Sequence, residues 1–434
     1  MFQPFKDFHL VGVLTLAFIF QPAGQLIFVP TGMLDAQAQE TREKKEKPKG
    51  RRSQVLSKRA FAIVEDAQNR LAEEDYVGAL SQLQEIRDGA KFSAYEKAVA
   101  LQTEGFVYAD QGNYAKTIQA FEKAANSGDL PPRVVSDLVY NLAQLNLAEG
   151  RSARALEYIT RWFAAVEGEP TANAYGLKAQ IHLVMGDLAA AEQTVRKALA
   201  KVEEPRQNWT RLLLSVLLQQ ERYGEARPIL EDAALRWPSV KAFWQQLTAV
   251  YYEVKQEELA FVTQQIMHRQ NMLKTSKELS SMGQLYLYHD IPIKAARVLQ
   301  TGLDDGSIEK TEKNYELLAQ AYMHAREWDK AIKPLTAAAE KSDKGRFYEQ
   351  LGQSYLQDEK WRDAEQAFVK ALEKGGLRDS ANTWLLLGIT RTRVEKWDAA
   401  IAAFRKAGDD DETAKDAFRW IRSIERQLAA QKRG

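Results

Sequence analysis

The chain contains no cysteine, and only five of its 434 residues are histidine. The lack of cysteine excludes disulfides, thiol catalysis, zinc–thiolate sites and a lipid-modified cysteine at a cleavage site. It is compatible with an oxidising compartment but does not identify one. No metal-ligand spacing within one helix relates the histidines, which are His9, His182, His268, His289 and His324. We therefore predict no metal site and no cofactor.

Catalytic motifs are missing as well. The sequence has no G-x-S-x-G, H-E-x-x-H, P-loop or G-x-G-x-x-G pattern, and no pair of carboxylates stands out as a general acid and base. The net charge is +1, and the positive charge is local, with +6 on residues 39–59 and −4 on residues 60–434. We predict a protein without catalytic residues and without a nucleic-acid partner.

The sequence does carry a helical pattern, most clearly between residues 384 and 407. Trp384, Leu387 and Gly388 lie three and four residues apart, and Ala400 and Phe404 follow after a polar break. This spacing places one apolar stripe on each of two short helices, and the break turns the second helix back against the first. Gly388 and Ala400 are small enough to let the two helices approach closely.

The same hairpin pattern recurs along the chain. Two residues, most of them small, always lie 12 positions apart, and successive pairs follow at nearly regular steps of roughly 33 to 38 positions. The pairs are Ala67/Ala79, Gly105/Thr117, Ala143/Ala155, Ala179/Ala191, Leu214/Ala226, Thr248/Ala260, Gly283/Ala295, Ala319/Ala331, Gly352/Ala364 and Gly388/Ala400. Ten units in register cover most of the chain.

This pattern resembles the tetratricopeptide repeat (TPR), which has a repeat length of about 34 residues and a signature of Trp–Leu–Gly followed by Ala–Phe–Ala. The resemblance implies an all-α fold, a right-handed superhelix (α-solenoid) of about ten helix-turn-helix repeats over residues 55–410. Residues 411–434 are expected to form a C-terminal capping helix and tail. The cap is needed because each repeat buries its apolar face against its neighbours.

Several residues depart from the pattern in the middle of the chain. Leu214 replaces a small residue, and Gln264 and Met267 replace the usual apolar and small residues of a second helix. The sequence predicts less regular packing there. Pro228 and Pro334 fall inside predicted second helices, where proline removes a backbone hydrogen bond. We expect a kink or an early end at each.

The N-terminal region does not share the repeat. Residues 10–20 form an uncharged apolar run, and Ala36 and Ala38 form an A-x-A cleavage pattern. We read residues 1–38 as a signal peptide cleaved after Ala38, with a periplasmic mature protein. An inner-membrane anchor facing the periplasm and a true start at Met33 are the alternatives, and the basic flank that follows argues against export. Residues 39–54 are predicted to be a charged disordered linker, and residues 42–59 either contact a membrane surface or act as a spacer.

A candidate partner-binding groove follows from the resemblance. In TPR proteins the first helices line the concave face, and the residue after the small residue points into it; here it is glutamine at Gln68, Gln144, Gln180, Gln284, Gln320 and Gln353. Apolar side chains lie one turn later at Leu147, Leu183, Leu218 and Tyr252, and larger or polar ones lie one turn earlier at Gln102, Tyr140, Arg211 and Gln245. Carboxamides can pair with an extended peptide backbone. The alternative is that glutamine simply suits a solvated helix.

The chain also resembles exported TPR proteins that are associated with bacterial TonB–ExbB–ExbD systems, in residues 94–97, 294–299 and 371–379. This resemblance implies a non-enzymatic periplasmic adaptor or scaffold that binds an extended segment of a partner protein, with a TonB/ExbB/ExbD-type envelope complex as the partner. A TPR factor in envelope biogenesis, for peptidoglycan or outer-membrane assembly, is the alternative.

Export can be tested directly. Because of the apolar run and the A-x-A pattern, the protein from fractionated cells should be periplasmic and should begin at Gln39. N-terminal sequencing of the fractionated protein measures this. A cytosolic protein that begins at Met1 or Met33 would contradict the prediction.

Overall fold

The structure is a computed structural model that describes residues 54–431. These residues form twenty-one α-helices and contain no strand. The chain divides between Ile229 and Leu230 into two compact units. The first unit contains α1 (Lys58–Ala72), α2 (Tyr76–Asp88), α3 (Ala94–Asp110), α4 (Tyr114–Asn126), α5 (Pro132–Ala148), α6 (Ser152–Ala165), α7 (Ala172–Val184), α8 (Leu188–Ala200) and α9 (Gln207–Gln219), and α10 (Tyr223–Arg236) contains the boundary. The second unit contains α11 (Lys241–Glu253), α12 (Glu257–Arg269), α13 (Ser276–Tyr288), α14 (Pro292–Asp305), α15 (Glu312–His324), α16 (Trp328–Glu340), α17 (Arg346–Gln357), α18 (Trp361–Lys374), α19 (Ser380–Arg393), α20 (Trp397–Ala407) and α21 (Asp411–Gln431).

Odd-numbered helices from α1 to α19 are the first helices of ten hairpins, and even-numbered helices are the second. Within each unit, a helix contacts its hairpin partner and the helix that follows. Some first helices also contact the next first helix, as α1 does with α3 and α13 with α15. The all-α solenoid of helical hairpins that the sequence predicts is therefore confirmed.

The N-terminal features predicted from the sequence fall outside the described residues. The apolar run, the A-x-A pattern and nearly all of the charged linker precede residue 54, so the signal, anchor and linker remain predictions. Within residues 54–431, no helix has both the length and the hydrophobicity needed to cross a bilayer.

Close packing inside the hairpins depends on the small residue of the first helix and on an apolar residue 16 positions later. Four hairpins have glycine in the first helix, and a methyl group on that glycine would collide with the later residue. An ideal Cβ on Gly352 or Gly388 would lie only 2.6 or 2.5 Å from the nearest ring carbon of Phe368 or Phe404. Gly105 faces Phe121 in the same way, and Gly283 faces Leu299.

Hairpins with alanine in the first helix carry an aliphatic residue at the later position. The pairs are Ala67/Leu83, Ala143/Ile159, Ala179/Val195 and Ala319/Leu335, and all eight residues are fully buried. Phenylalanine therefore occurs at the later position only where the first helix has glycine. The combined volume of the pair stays roughly constant in these eight hairpins, as close packing of interiors requires, whereas Leu214 and Leu230 form a larger pair that is also fully buried.

Each hairpin turn has one residue in the left-handed region, seven positions after the small residue. These residues are Glu74, Gly112, Gly150, Gly186, Glu221, Lys255, Asp290, Arg326, Glu359 and Glu395, with φ between 54° and 79°. Only three of the ten are glycine, although this conformation costs other residues about 1–2 kcal/mol. Interactions elsewhere in the hairpin must offset that cost, so the turn geometry is fixed by the packing of the two helices.

The two prolines do not end their helices early. α10 continues past Pro228 to Arg236, and α16 continues past Pro334 to Glu340. The expected early end is therefore wrong. Pro334 is buried among the apolar residues of its hairpin, so tertiary packing holds the helix together despite the missing backbone hydrogen bond.

The irregular middle repeat behaves as the sequence indicates. Gln264 is half-buried and donates a hydrogen bond of 3.3 Å to Tyr252 Oη, while Met267 is buried. Helices α12 and α13 contact each other less extensively than the other pairs of a second helix and the following first helix in this unit. The junction between this repeat and the next is therefore less closely packed, as the sequence predicts.

The last helix, α21, follows the tenth hairpin. Ala417, Ile421 and Ile424 are buried against α19 and α20, and the Trp420 ring stacks on Phe404 at 5.8 Å. This is the part of the chain in which the sequence predicts a capping helix.

The size match between paired positions can be tested with a double-mutant cycle. Gly388→Ala should lower the unfolding free energy by about 1–3 kcal/mol, because the added methyl collides with the Phe404 ring. Phe404→Leu should cost a similar amount because it leaves a cavity. The double variant should lose less than the sum of the two single losses, because it recreates the alanine–leucine pair of Ala319 and Leu335. Urea denaturation followed by circular dichroism measures all three.

Gly224→Ala is the matched control. Gly224 lies in a helix and has no atom within 4 Å of its ideal Cβ position, so alanine there should be neutral or slightly stabilising. Strictly additive losses in the cycle, or a Gly388→Ala variant as stable as the wild type, would show that the size match does not matter.

Candidate functional site

The predicted glutamine row lies on the first helices. We call Gln68, Gln144, Gln180, Gln284, Gln320 and Gln353 the amide row. Gln68 and Gln180 are exposed, the other four are half-buried, and none is buried. The register argument from the sequence therefore places all six amides where another molecule can reach them.

In the first unit, the apolar residues beside the amide row are not available. Leu147, Leu183 and Leu218 are only 7, 7 and 8% exposed. Leu147 is enclosed by Leu177 and Ile181 of the next first helix. These three leucines therefore hold repeats together and do not accept side chains of a partner, contrary to the sequence-based expectation.

Gln102 is a second correction. It is 2% exposed and belongs to α3, whose Ala98, Val99 and Val107 form part of an apolar cluster that extends from α1 to α5. Neighbouring helices therefore cover its side chain. Gln102 cannot serve a partner as a groove residue.

Tyr140 and Arg211 are the larger side chains proposed as anchors in the first unit. Arg211 is exposed. Tyr140 is half-buried, and its ring lies 5.4 Å from Trp162, which in turn contacts Phe163. Burial raises the pKa of Tyr140 to about 12. Tyr140 is therefore chiefly a packing residue with one accessible edge.

In the second unit, both rows remain accessible. Gln284, Gln320 and Gln353 occupy the same position in three successive hairpins, and each is half-buried. The apolar side chains one turn later are also half-buried; they are Leu287, Met323 and Leu356. This surface, which we call the second-unit face, combines hydrogen-bonding amides with apolar contacts along one side of the first helices.

Two tyrosines extend this face at its beginning. Tyr252 is 38% exposed, and Tyr288, which the sequence analysis missed, is 69% exposed. The pKa of Tyr252 is raised by burial, and also by the nearby Glu257 and Tyr288. Tyr288 lies five positions after the small residue Gly283, one position beyond the apolar row that contains Leu287. The aromatic residue at this position is the sequence signal that could have identified it. Gln245, also predicted, is exposed on α11.

Polar contacts connect successive first helices beside the second-unit face. Ser280 Oγ donates to Asn314 Oδ1 at 3.1 Å, and Arg346 pairs with Glu316 at 2.8 Å. Thr383 Oγ1 donates to Glu349 at 2.7 Å. Since each contact joins one hairpin to the next, the spacing of the amides is fixed before any partner binds.

The described part of the chain shows no metal site. No group of three or more His, Asp or Glu side chains between residues 54 and 431 is arranged to hold a metal ion. His182 Nδ1 lies 3.5 Å from Asp187, and burial lowers the pKa of this histidine. This contact is between one helix and its own turn, so it stabilises the hairpin.

Glu278 connects two helices by hydrogen bonds at the start of the second-unit face. Its carboxylate accepts hydrogen bonds from Lys241 Nζ at 2.5 Å and from the backbone N–H groups of Lys274 and Thr275 at 2.9 and 3.1 Å. Burial raises the pKa of Glu278, but these hydrogen bonds outweigh it and bring the pKa to about 2. The carboxylate thereby joins the first turn of α11 to that of α13.

This depressed pKa makes stability depend on pH. The ionised Glu278 should stabilise the fold above pH about 4.5, and that contribution should be lost as the pH falls towards 2. Between pH 5 and 2 the wild type should lose roughly 1–3 kcal/mol more than Glu278→Gln, which has no carboxylate to protonate. Urea midpoints measured at several pH values give the difference. The exposed Glu340→Gln is the control and should follow the wild type; parallel curves for wild type and Glu278→Gln would refute the role of Glu278.

Comparisons with known proteins agree with the hairpins described above. A family model for the tetratricopeptide repeat matches residues 140–207, 177–244 and 349–414. No curated protein matches the sequence.

Solved structures of low sequence identity also resemble the chain. A tetratricopeptide repeat protein from Parabacteroides merdae is 13% identical, with 69% of this chain and 99% of that chain covered and a TM-score of 0.38. The C-terminal part of a TPR repeat-containing protein from Cytophaga hutchinsonii is 15% identical, with 65% of this chain and 99% of that chain covered and a TM-score of 0.33. The Cut9–Hcn1 hetero-tetramer of the APC/C is 13% identical, with 86% of this chain and 91% of that chain covered and a TM-score of 0.29. All three TM-scores are below 0.5, so the repeat assignment depends on the family model and the hairpins.

Proposed function

We propose that this chain, which contains tetratricopeptide repeats, is a non-enzymatic scaffold that binds an extended segment of a partner protein on the second-unit face. The observation that carries the proposal is the accessibility of two parallel rows. Gln284, Gln320 and Gln353 offer amides, while the residues one turn later offer apolar surface. A peptide needs both, since its backbone requires hydrogen bonds and its side chains require pockets.

The spacing of the rows fits an extended peptide. Packed helices lie about 8–10 Å apart, and an extended chain rises about 3.3 Å per residue. One hairpin therefore corresponds to about three residues of an extended peptide. Three successive amides can hold a segment of roughly seven residues, with each amide reaching the backbone of every third residue.

Tyr252 and Tyr288 supply the larger contacts at one end of the face. Both rings are exposed, and aromatic side chains contribute much of the binding energy in protein interfaces. The hydrogen bond from Gln264 holds the Tyr252 hydroxyl in place, so little side-chain entropy is lost on binding. An apolar side chain of the partner would pack between the two rings.

The cellular setting of the proposal comes from the N-terminal sequence. An apolar run followed by an A-x-A pattern supports export to the periplasm, and the resemblance to TPR proteins of TonB–ExbB–ExbD systems supports a partner in that envelope complex. A factor in envelope biogenesis, for peptidoglycan or outer-membrane assembly, is the second candidate. The basic residues 42–59 would meet anionic headgroups at the membrane surface.

A photo-crosslinking residue in the second-unit face tests the proposal. Placed at Gln320, it should capture a partner in cells, while the same residue at the exposed second-helix position Lys333 should not. In titrations with the purified partner, Tyr252→Ala should weaken binding by about 1–3 kcal/mol. Gln320→Ala should cost less, about 0.5–1.5 kcal/mol for one hydrogen bond.

Lys333→Ala is the matched control for these titrations and should bind as the wild type does. Circular dichroism must show that each variant remains folded. Full affinity of the face variants together with weakened binding by Lys333→Ala would place the site elsewhere. The identity of the captured protein distinguishes a TonB-type complex from an assembly factor.

A further inference from the structure

Helix α21 has the register of a first helix, and within the described residues no second helix packs against it. Trp384, Leu387 and Gly388 of α19 are followed, one TPR repeat length later, by Phe418, Ile421 and Arg422. In α19 the glycine allows α20 to pack closely. At the same register position α21 has Arg422, whose side chain is exposed. One face of α21 is therefore uncovered in the described structure.

The uncovered face is a single stripe. Ala414, Phe418, Arg422, Glu425 and Ala429 follow at intervals of three and four positions, so they share one side of the helix. Phe418 is 52% exposed, Arg422, Glu425 and Ala429 are exposed, and Ala414 is half-buried. We call this stripe the outer face of α21. A large exposed aromatic ring beside alanines is unusual for the polar outer side of a cap.

The charges along α21 are polarised. Asp411, Glu412 and Asp416 lie in its N-terminal half, and Arg422 and Arg426 lie in its C-terminal half. Lys415 and Arg419 in the first half and Glu425 in the second half are the exceptions. This order complements the helix dipole. It also means that two copies of α21 lying antiparallel place the acidic end of each beside the basic end of the other.

We propose that the outer face of α21 binds the same face of a second copy of this chain, with the two helices antiparallel. In a twofold pair, each contact occurs twice. With the axis between residues 423 and 424, Arg422 faces Glu425 of the second copy, and Phe418 covers Ala429 of the second copy. The stripe is complementary to itself, because Arg422 and Glu425 carry opposite charges and apolar residues, Phe418 and Ala429, lie on either side of them.

The choice of a second copy follows from this self-complementarity. A partner with a uniformly acidic helix would meet Glu425, and a uniformly basic one would meet Arg422. The antiparallel copy satisfies both residues and removes Phe418 from water. One pair of helices gives an interface at the small end of the known range, so the dimer should be weak, with a Kd on the order of 10 µM.

Sedimentation velocity of the full chain, at roughly 1–200 µM protein, measures the dimer. The wild type should shift from monomer to dimer over this range. Arg422→Glu and Glu425→Arg should each raise the Kd at least about tenfold, because each places like charges together. The double variant, Arg422→Glu with Glu425→Arg, should restore the wild-type Kd, because it reverses the pair without removing it. Phe418→Ser should weaken the dimer while both charges remain.

Arg362→Glu on α18 is the matched control, because Arg362 is exposed and lies outside α21. It changes the net charge as Arg422→Glu does, and it should leave the Kd unchanged. A wild type that stays monomeric at about 200 µM would overturn the proposal. So would single variants that dimerise as the wild type does, or a folded double variant that fails to regain the dimer.

Discussion

In eight of the ten hairpins, the contact between a small residue of the first helix and an apolar residue of the second helix sets how closely the two helices approach. Where the first helix has glycine, as at Gly352, the second can present a phenylalanine ring that occupies the space of the missing methyl group. Where it has alanine, as at Ala319, leucine suffices. Every other feature depends on this distance, because it determines which first-helix side chains are left facing outwards.

This dependence explains why the fold can be read from the sequence. The size match is local, since its two residues are 16 positions apart, and it repeats often enough to be recognised despite exceptions such as Gln264. The expectation that proline ends a helix early was wrong for a related reason. Propensity describes an isolated helix, whereas Pro334 is buried in a hairpin whose packing outweighs one missing hydrogen bond.

The site was only partly predictable, because the register of a residue does not determine what covers it. Leu147 and Leu287 have equivalent positions on their first helices, yet Leu147 is enclosed by Leu177 and Ile181 while Leu287 is half-buried. Gln102 became buried in the same way. Coverage depends on side chains from the neighbouring repeat, a full repeat length away in the chain, and no periodicity in the sequence reports it. The second-unit face can be identified only from the burial of individual residues in the structure.

The constant spacing within hairpins bears on where the chain tolerates change. The two paired positions keep the same separation in every hairpin, and the left-handed residue always lies seven positions after the first of them, whereas the steps between successive hairpins vary in length. The variation in repeat length therefore falls between the second paired position of one hairpin and the first paired position of the next, both in the connections and in the start of the first helices, of which α3 and α5 are the longest. An inserted affinity tag or a natural insertion should be accepted at those connections, for example after Gly128. A single extra residue beside Glu359 would rotate one helix against the other by about 100° and separate the paired side chains.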